Sequence, residues 1–263
     1  MKRPNCVTIL VGVLGMMALG SMPARAGADG DDRAGCAGLP THTQLKAALD
    51  TAVLAETSGL NNHMWATVVN RDGVVCAVAF SRVNRAAQWP GSRVISAQKA
   101  NTANAFSLDG SSGSGGSGQA AGLALSTANL YSAVQPGGSL YGLQHSNPVD
   151  TSAAYKGPSA NYGTPNDPMV GDKVAGVNVF GGGLALYDSQ KKVVGAVGAS
   201  GDTSCADHNI AWRVRHLLTL DFLSGVGGVS GDPAHPDNIV FDITTTPPEE
   251  PASARVGSAT PRA

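Results

Sequence analysis

The sequence predicts an α+β fold in which antiparallel strands are flanked by helices. Three observations support this prediction: a β-hairpin pattern near residue 70, small and apolar residues at helical spacing on both sides of it, and a glycine-rich strand pair that leads into a further helical pattern near residue 204. The predicted order is helix, two strands, helix, long insert, two strands, helix. Because no βαβ series surrounds the strands, a parallel doubly wound sheet is not expected.

The first 26 residues have the pattern of a signal peptide. Lys2 and Arg3 precede the apolar run VTILVGVLGMMALG, and the ARA that ends at Ala26 has the small-x-small form of a signal-peptidase site. We therefore expect cleavage after Ala26, a secreted or periplasmic protein, and no membrane span in the mature chain. The remainder is predicted to comprise an arm (27–40), a single domain (41–245) with an insert at about 108–172, and a tail (246–263) too polar to pack.

The predicted mature chain is mildly acidic. The full chain has 18 Lys+Arg against 19 Asp+Glu, and the signal peptide removes three basic residues and no acidic ones, which leaves 15 against 19. Such a surface offers no electrostatic footprint for nucleic acid or for an anionic membrane.

Three cysteines remain after the predicted cleavage, namely Cys36, Cys76 and Cys205. In an oxidising compartment, one disulfide and one free thiol is the simplest arrangement. The sequence leaves all three pairings open, since Cys36 in the N-terminal arm could reach either of the other two.

The first two helices and the hairpin between them have clear local signals. THTQLKAALDTAVLAET (41–57) places apolar residues at helical spacing behind Thr41 or Thr43 as N-cap. MWATVVNRDGVVCAVAF (64–80) forms two β-rich runs around a turn that ends in Asp72-Gly73. SRVISAQKANTANAF (92–106) lacks Gly and Pro and predicts a helix whose alanines approach a neighbouring backbone closely.

The second half begins with the insert, which is rich in turn residues and tyrosines and is predicted to be an ordered cover. Two strands follow, in VNVFGGGLALYD (177–188) and KKVVGAVGASGD (191–202). The last helix begins within SCADHNIAWRVRHLLTLDFL (204–223), with Ser204 as the expected N-cap and Asp207 completing a capping-box-like pair.

The stretch GAVGASGDTSCADHNIAWRVR (195–215) partly resembles three kinds of chemical site and matches none of them. Gly198-Ala199-Ser200-Gly201 is one residue short of a nucleophile elbow. Glycines at every third position do not match the dinucleotide-binding spacing. A zinc clip of Cys205, Asp207 and His208 lacks a fourth ligand and a second Cys/His pair. We therefore predict neither a catalytic residue nor a metal site here.

Two side chains are nonetheless candidates for a binding site. His208 either makes a structural hydrogen bond near the start of the last helix or faces a ligand. At 100° per residue, His208 lies with Trp212, Arg215 and Thr219 on a face separate from the apolar stripe of the last helix. The tryptophan then needs its own cover, either the insert, another subunit or a flat ligand. Lys99, the basic residue in the middle of the second helix, is either solvated or near a sheet edge where it meets the carboxylate of Asp207 or of a ligand.

Taken together, these segments resemble the GlcG/HbpS heme-binding family over about two thirds of the mature chain. The family's marks are a turn with Asp and Gly, a KA-x-TA helix, a glycine-led strand and a glycine-paced strand leading to an Asp at a helix start. They fall on Asp72-Gly73, Lys99-Ala100 with Thr102-Ala103, Gly181 to Gly183, and Gly195, Gly198, Ser200, Gly201 and Asp207. Ala199, where valine is usual, and the insert depart from the pattern.

The resemblance implies a profilin-like three-layer α/β/α fold and a homo-oligomeric protein that binds heme or a related tetrapyrrole. His208 or Thr102 would approach the iron, Lys99 or Arg215 a propionate, and Trp212 or the tyrosines of the insert a porphyrin face. Ser200 and Asp207 complete the candidate site through the family motif. Since no Cys-x-x-Cys-His motif is present, the heme would be bound without a covalent link.

Three functions follow as alternatives. The first is a heme-binding protein with a role in heme sensing, storage or degradation, more a binder than an enzyme. The second is an enzyme acting on a small organic acid through Lys99, Asp207 and His208. The third is an interaction module that forms oligomers and binds no ligand.

Overall fold

A computed structural model describes residues 32–113 and 120–240. Its α-helices are α1 (His42–Leu54), α2 (Ser92–Phe106), α3 (Leu143–Ser146), α4 (Thr151–Ala154) and α5 (Ser204–Leu217). Its strands are β1 (Trp65–Asn70), β2 (Val75–Phe80), β3 (Gly183–Tyr187) and β4 (Val193–Ser200). Short 3-10 helices span Asp32–Cys36, Arg85–Ala87, Thr127–Leu130, Ser132–Val134 and Ser159–Asn161. The predicted signal peptide and the predicted C-terminal tail lie outside the described residues.

The four strands form one antiparallel sheet in the order β2-β1-β4-β3. Helices α1 and α5 pack on one face, where they share an apolar core with all four strands. Helix α2 packs on the opposite face, against a second core centred on β1 and β2. The predicted α+β, profilin-like three-layer α/β/α fold is therefore confirmed. Within the described ranges, no helix is long and apolar enough to cross a bilayer.

The helix start and the hairpin turn form as their residues predict. The Thr41 side chain accepts the Gln44 amide, while the Gln44 side chain accepts the Thr41 amide, so the first orphan amides of α1 are satisfied. At the turn, the Asn70 side-chain oxygen accepts the amides of Asp72 and Val74. Gly73 there has a φ of 80°, a left-handed conformation that glycine adopts without strain.

Helix α2 lies close to the sheet because the contacting residues are small. Ala97, Ala100 and Ala103 are buried against it. A Cβ on Gly198 of β4 would clash with the carbonyl oxygen of Ser96 on α2. The Ser96 hydroxyl also lies 2.7 Å from the Thr67 hydroxyl of β1. The close approach expected from the alanine spacing is therefore present.

The described part of the insert packs on the same face as α2. Ala153, Ala154 and Met169 are buried in the core of that face. Asp167 forms a buried ion pair with Arg93 of α2, whose Nε donates at 2.9 Å. The Arg93 guanidinium also lies 3.6 Å from the ring centroid of Tyr162. The insert is thus held against α2 by an ion pair and by apolar burial. The predicted bounds of the insert, about 108–172, stay a prediction.

One of the three possible disulfides is present. Cys36 is bonded to Cys76 across 40 residues of sequence, with a Cα–Cα distance of 5.5 Å. The bond ties the N-terminal 3-10 helix to β2. Cys205 is a half-buried free thiol, so the pairings that involve it are wrong.

Candidate functional site

Three glycines bring α2, β3 and α5 together at one end of the sheet. A Cβ on Gly181 or Gly182 would crowd the first turn of α5 at Ser204 or Asp207, and one on Gly183 would clash with the Lys99 carbonyl of α2. Gly182 has a φ of 114°, a backbone conformation that residues other than glycine rarely adopt. The predicted strand over 177–188 is consequently shorter, because the chain crosses to α5 before β3 begins at Gly183.

Lys99 and Asp207 form a buried ion pair at this junction. Lys99 Nζ donates to Asp207 Oδ2 at 2.5 Å and to the Ala199 carbonyl oxygen at 3.2 Å. The other carboxylate oxygen, Asp207 Oδ1, accepts the Asp202 amide at 2.8 Å. The solvated interpretation of Lys99 is wrong, and its alternative, an encounter with Asp207, is what the structure contains.

Burial opposes the charge of both partners. It raises the pKa of Asp207 to about 6, against the lowering effects of Lys99 and of the Asp202 amide. It also lowers the pKa of Lys99, against the raising effect of Asp207. The Lys99–Asp207 contact, together with the hydrogen bonds to the Ala199 carbonyl oxygen and from the Asp202 amide, favours the ionised pair at neutral pH. The two charges therefore neutralise each other.

The first turn of α5 is capped differently from the prediction. Thr203, not Ser204, is the N-cap, and its hydroxyl accepts the Ala206 amide. The Ser204 hydroxyl instead accepts the Gly181 amide at 2.7 Å. Asp207 is engaged with Lys99, so the expected capping box is wrong. The side chains of this turn are used for tertiary contacts to β3 and α2.

His208 is a buried candidate residue with a ring nitrogen that makes no hydrogen bond among the described residues. Its side chain is 3% exposed, and Nδ1 is buried without a hydrogen-bond partner among the described residues. Burial lowers the pKa of His208 to about 4, helped by Arg215 and Lys99 and opposed by Asp237. The imidazole is therefore neutral at pH 7, which is the form that ligates metals.

Arg215 and Trp212 lie on the same face of α5 as His208, and residues beyond the helix cover that face. Arg215 is fully buried and donates to Asp237 Oδ2 at 2.5 Å, to Asp237 Oδ1 at 3.1 Å and to the Ala185 carbonyl oxygen at 3.1 Å. Trp212 is 37% exposed. Its ring stacks on His216 and meets the edge of His235 at centroid distances of 5.9 and 6.1 Å. The observed aromatic neighbours of Trp212 are therefore histidines rather than tyrosines of the insert.

Thr102 and Ser200 have structural surroundings. The Thr102 hydroxyl donates to the Gln98 carbonyl oxygen at 2.8 Å and accepts the Asn178 amide at 3.0 Å. Ser200 is buried at the end of β4, opposite Trp65 of β1. With both hydrogen bonds made inside the fold, Thr102 offers less to an iron than His208 does.

The sequence alone did not identify Asp237. It lies in a stretch without periodicity, and the partner that gives it a role is Arg215, 22 residues earlier. The available signal was the position of Arg215 on the same helix face as Trp212, because an arginine that is covered together with a tryptophan requires a carboxylate.

An open groove of about 460 Å³ lies elsewhere, between the start of α1 and the end of α5. Its lining of Gly38, Leu39, Ala48, Leu217 and Leu220, among others, contains no titratable side chain. It is therefore not part of the candidate site. In residues 32–113 and 120–240, no group of three or more His, Cys, Asp or Glu side chains is arranged to bind a metal ion.

A heme group fits part of this arrangement. Heme needs an axial ligand and partners for its propionates, and His208 supplies a neutral imidazole whose Nδ1 has no hydrogen-bond partner among the described residues. Lys99 does not fit a propionate, because Asp207 neutralises it in the interior. Arg215 has the required bidentate geometry, and it uses that geometry on Asp237.

Comparison with solved structures gives neighbours of modest similarity. A Klebsiella pneumoniae protein, ORFY, described with the family model DUF336, is 26% identical, with 67% of this chain and 86% of that chain covered and a TM-score of 0.41. A PduOC:heme complex is 21% identical, with 66% and 89% covered and a TM-score of 0.42. HbpS is 15% identical, with 67% and 86% covered and a TM-score of 0.41. No curated protein matched.

The assignment to a family rests instead on a sequence model. The model described as "Haem degrading protein HbpS-like" matches residues 41–215, about two thirds of the chain. The matched region runs from the N-cap of α1 to Arg215 near the end of α5. The resemblance noted in the sequence is thereby confirmed, and the chain belongs to the HbpS-like family of haem degrading proteins.

Proposed function

We propose that this chain is an exported heme-binding protein and that His208 is the axial ligand. The observation that carries the proposal is the buried His208 imidazole, whose Nδ1 has no hydrogen-bond partner among the described residues. Leaving a polar group of this kind unpaired in the interior costs about 1–3 kcal/mol. A bond from the ring to iron would offset that cost, and the low pKa keeps the ring unprotonated for it.

Arg215 and Trp212 would complete the site. Arg215 offers a guanidinium fork to a propionate, and Trp212 offers an exposed aromatic edge to a porphyrin face. When bound, heme supplies a redox-active iron to which small molecules can coordinate. Roles in heme sensing, storage or degradation, and assembly into a homo-oligomer, stay predictions.

Export is supported by the N-terminal pattern and by the cysteines. The Cys36–Cys76 disulfide is of a kind that persists in oxidising compartments and is rare in the reducing cytosol. An enzyme of small organic acids is not proposed, because Lys99 and Asp207 are buried and paired with each other.

A hemin titration followed by absorbance in the Soret region tests the proposal. We expect the wild type to shift and sharpen the Soret band, His208→Ala to lose that change, and His145→Ala to keep it. His145 on α3 is the control because it is an exposed histidine, whereas His216 stacks on Trp212. A wild type with no spectral change, or a folded His208→Ala variant that binds like the wild type, contradicts the proposal.

A further inference from the structure

Beyond α5, the last described residues, 229–240, form a surface loop, which we call the C-terminal loop. It follows an anchored turn, in which Leu223 and Val226 are buried with Ala124 and Tyr187. Its own side chains are mostly exposed or half-buried. Its backbone bonds are largely internal, since Ser230 donates to Pro236, His235 to Asp232 and Asn238 to His235. The loop thus has its own local structure, and Pro236 and Asp237 are its buried residues.

Asp237 is the buried charged residue of this largely exposed loop. Its side chain is 2% exposed, and both carboxylate oxygens accept from Arg215 in a bidentate pair. Single hydrogen bonds also join the loop to the preceding turn, where the Gly225 amide donates to the Pro233 carbonyl oxygen at 2.7 Å, and to the insert, where Asn129 Nδ2 donates to the Asn238 carbonyl oxygen at 2.9 Å. One buried carboxylate is therefore the principal polar attachment of the loop to the α5 face.

The same loop lies against the side of α5 that carries the other candidate residues. His208 precedes Arg215 by seven residues, so the two lie on one side of α5 and about 10 Å apart along its axis. Trp212 lies between them and contacts His235 of the loop. The negative charge of Asp237 also acts on His208, whose pKa it raises against the effect of burial. Moving the loop aside would uncover Arg215 and more of the Trp212 ring, and would open this side of α5 toward His208.

We infer that Asp237 occupies a carboxylate-binding site on Arg215 and that the C-terminal loop is a cap which a carboxylate-bearing ligand displaces. The inference rests on the proposed function, because the ligand class is that of a heme propionate. On displacement, the propionate takes the bidentate position on Arg215, so the guanidinium keeps a negative partner while Asp237 becomes solvated. The family match ends at Arg215, so the cap lies outside the matched residues.

The cap is tested first without any ligand, by diethyl pyrocarbonate modification of His208 followed by peptide mass spectrometry. The cap predicts modification of His208 at least tenfold faster in Asp237→Asn than in the wild type. Asp232→Asn is the matched control, because Asp232 lies in the same loop but pairs with the exposed His235. It should behave like the wild type. Equal rates in wild type and a folded Asp237→Asn overturn the inference.

Asn129→Asp covers the case in which Asp237→Asn does not fold. It keeps the side-chain oxygen that accepts from Ser126 and removes the donor to Asn238. The loss of one hydrogen bond predicts about fivefold faster modification of His208. No acceleration in this variant contradicts the cap.

Hemin affinity separates the cap from the proposed function. With the cap, hemin binds Asp237→Asn at least tenfold more tightly than the wild type. Hemin binding that is equal in both shows that the cap is wrong while heme binding stands. If neither binds hemin, the proposed function fails, and the rate of His208 modification alone decides whether Asp237 closes the site.

Discussion

The substitution His208→Leu tests whether the interior keeps this imidazole neutral. Leucine has a similar volume and no titratable group, so the variant removes the proton equilibrium while it preserves most of the packing. Burial places the pKa of His208 at about 4 in the folded state, against 6.5 for the free side chain. The consequence is a pH dependence of folding stability that the variant lacks.

The direction of this pH dependence is set by whether the folded or the unfolded chain binds more protons. Between pH 6.5 and 4, the unfolded chain protonates His208 and the folded chain does not, so stability is lost as pH falls through this window. One pKa unit corresponds to about 1.4 kcal/mol. Going from pH 7 to pH 5, the wild type should therefore lose about 2 kcal/mol relative to His208→Leu. Asp207, with its pKa raised to about 6, acts in the opposite direction, but it is present in both proteins.

Urea denaturation of both proteins at pH 7 and pH 5 measures this difference. The exposed His216 provides the control, because His216→Leu also removes one histidine but does not alter a buried ring. We expect the stability difference between His208→Leu and wild type to shift in favour of the variant by about 2 kcal/mol. A difference that is the same at the two pH values would refute the reasoning, since it means that the folded protein protonates His208 as readily as the unfolded chain does.

Three further predictions concern the frame of the site. Reduction of the Cys36–Cys76 disulfide, which closes 40 residues of chain, should lower stability by about 4 kcal/mol in urea denaturation, and an unchanged midpoint contradicts this. Gly198→Ala should destabilise by more than about 2 kcal/mol, because its Cβ meets the α2 backbone. Gly91→Ala is the control, because an added Cβ there has nothing within 4 Å, and its stability should stay within about 0.5 kcal/mol of the wild type. Similar thermal midpoints for Gly198→Ala and Gly91→Ala would contradict the close approach of α2 to β4. Asp202→Ala should cost about 2 kcal/mol, because its carboxylate accepts three backbone amides, and an unchanged midpoint would mean that water replaces it.

Most of the fold could be predicted from local signals in the sequence. The Asp72-Gly73 turn and the Thr41 capping box each depend on residues within a few positions of one another, and both form as expected. The alanine spacing of α2 also indicated its close packing. The strand order β2-β1-β4-β3 was not predicted from pattern, because it depends on pairing between segments more than a hundred residues apart.

Of the contacts around the candidate residues, the sequence indicated one pair but not the residues that cover Arg215 and Trp212. Lys99 on a small-residue helix that packs on a sheet was expected to meet a carboxylate, either that of Asp207 or that of a ligand, and it meets Asp207. Arg215 and Trp212 were placed on a separate face of α5, yet the residues that cover them belong to a loop with no periodicity. Contacts such as Arg215 with Asp237 are made by tertiary folding, so they leave no local signature in the sequence.

Native mass spectrometry of the protein purified from the medium or periplasm of its own host tests the central claim most directly. The account predicts a non-covalently bound tetrapyrrole on the mature chain with its Cys36–Cys76 disulfide intact, and the loss of that ligand from a folded His208→Ala variant. A wild-type chain that carries no tetrapyrrole, or a His208→Ala variant that keeps it, would contradict the account.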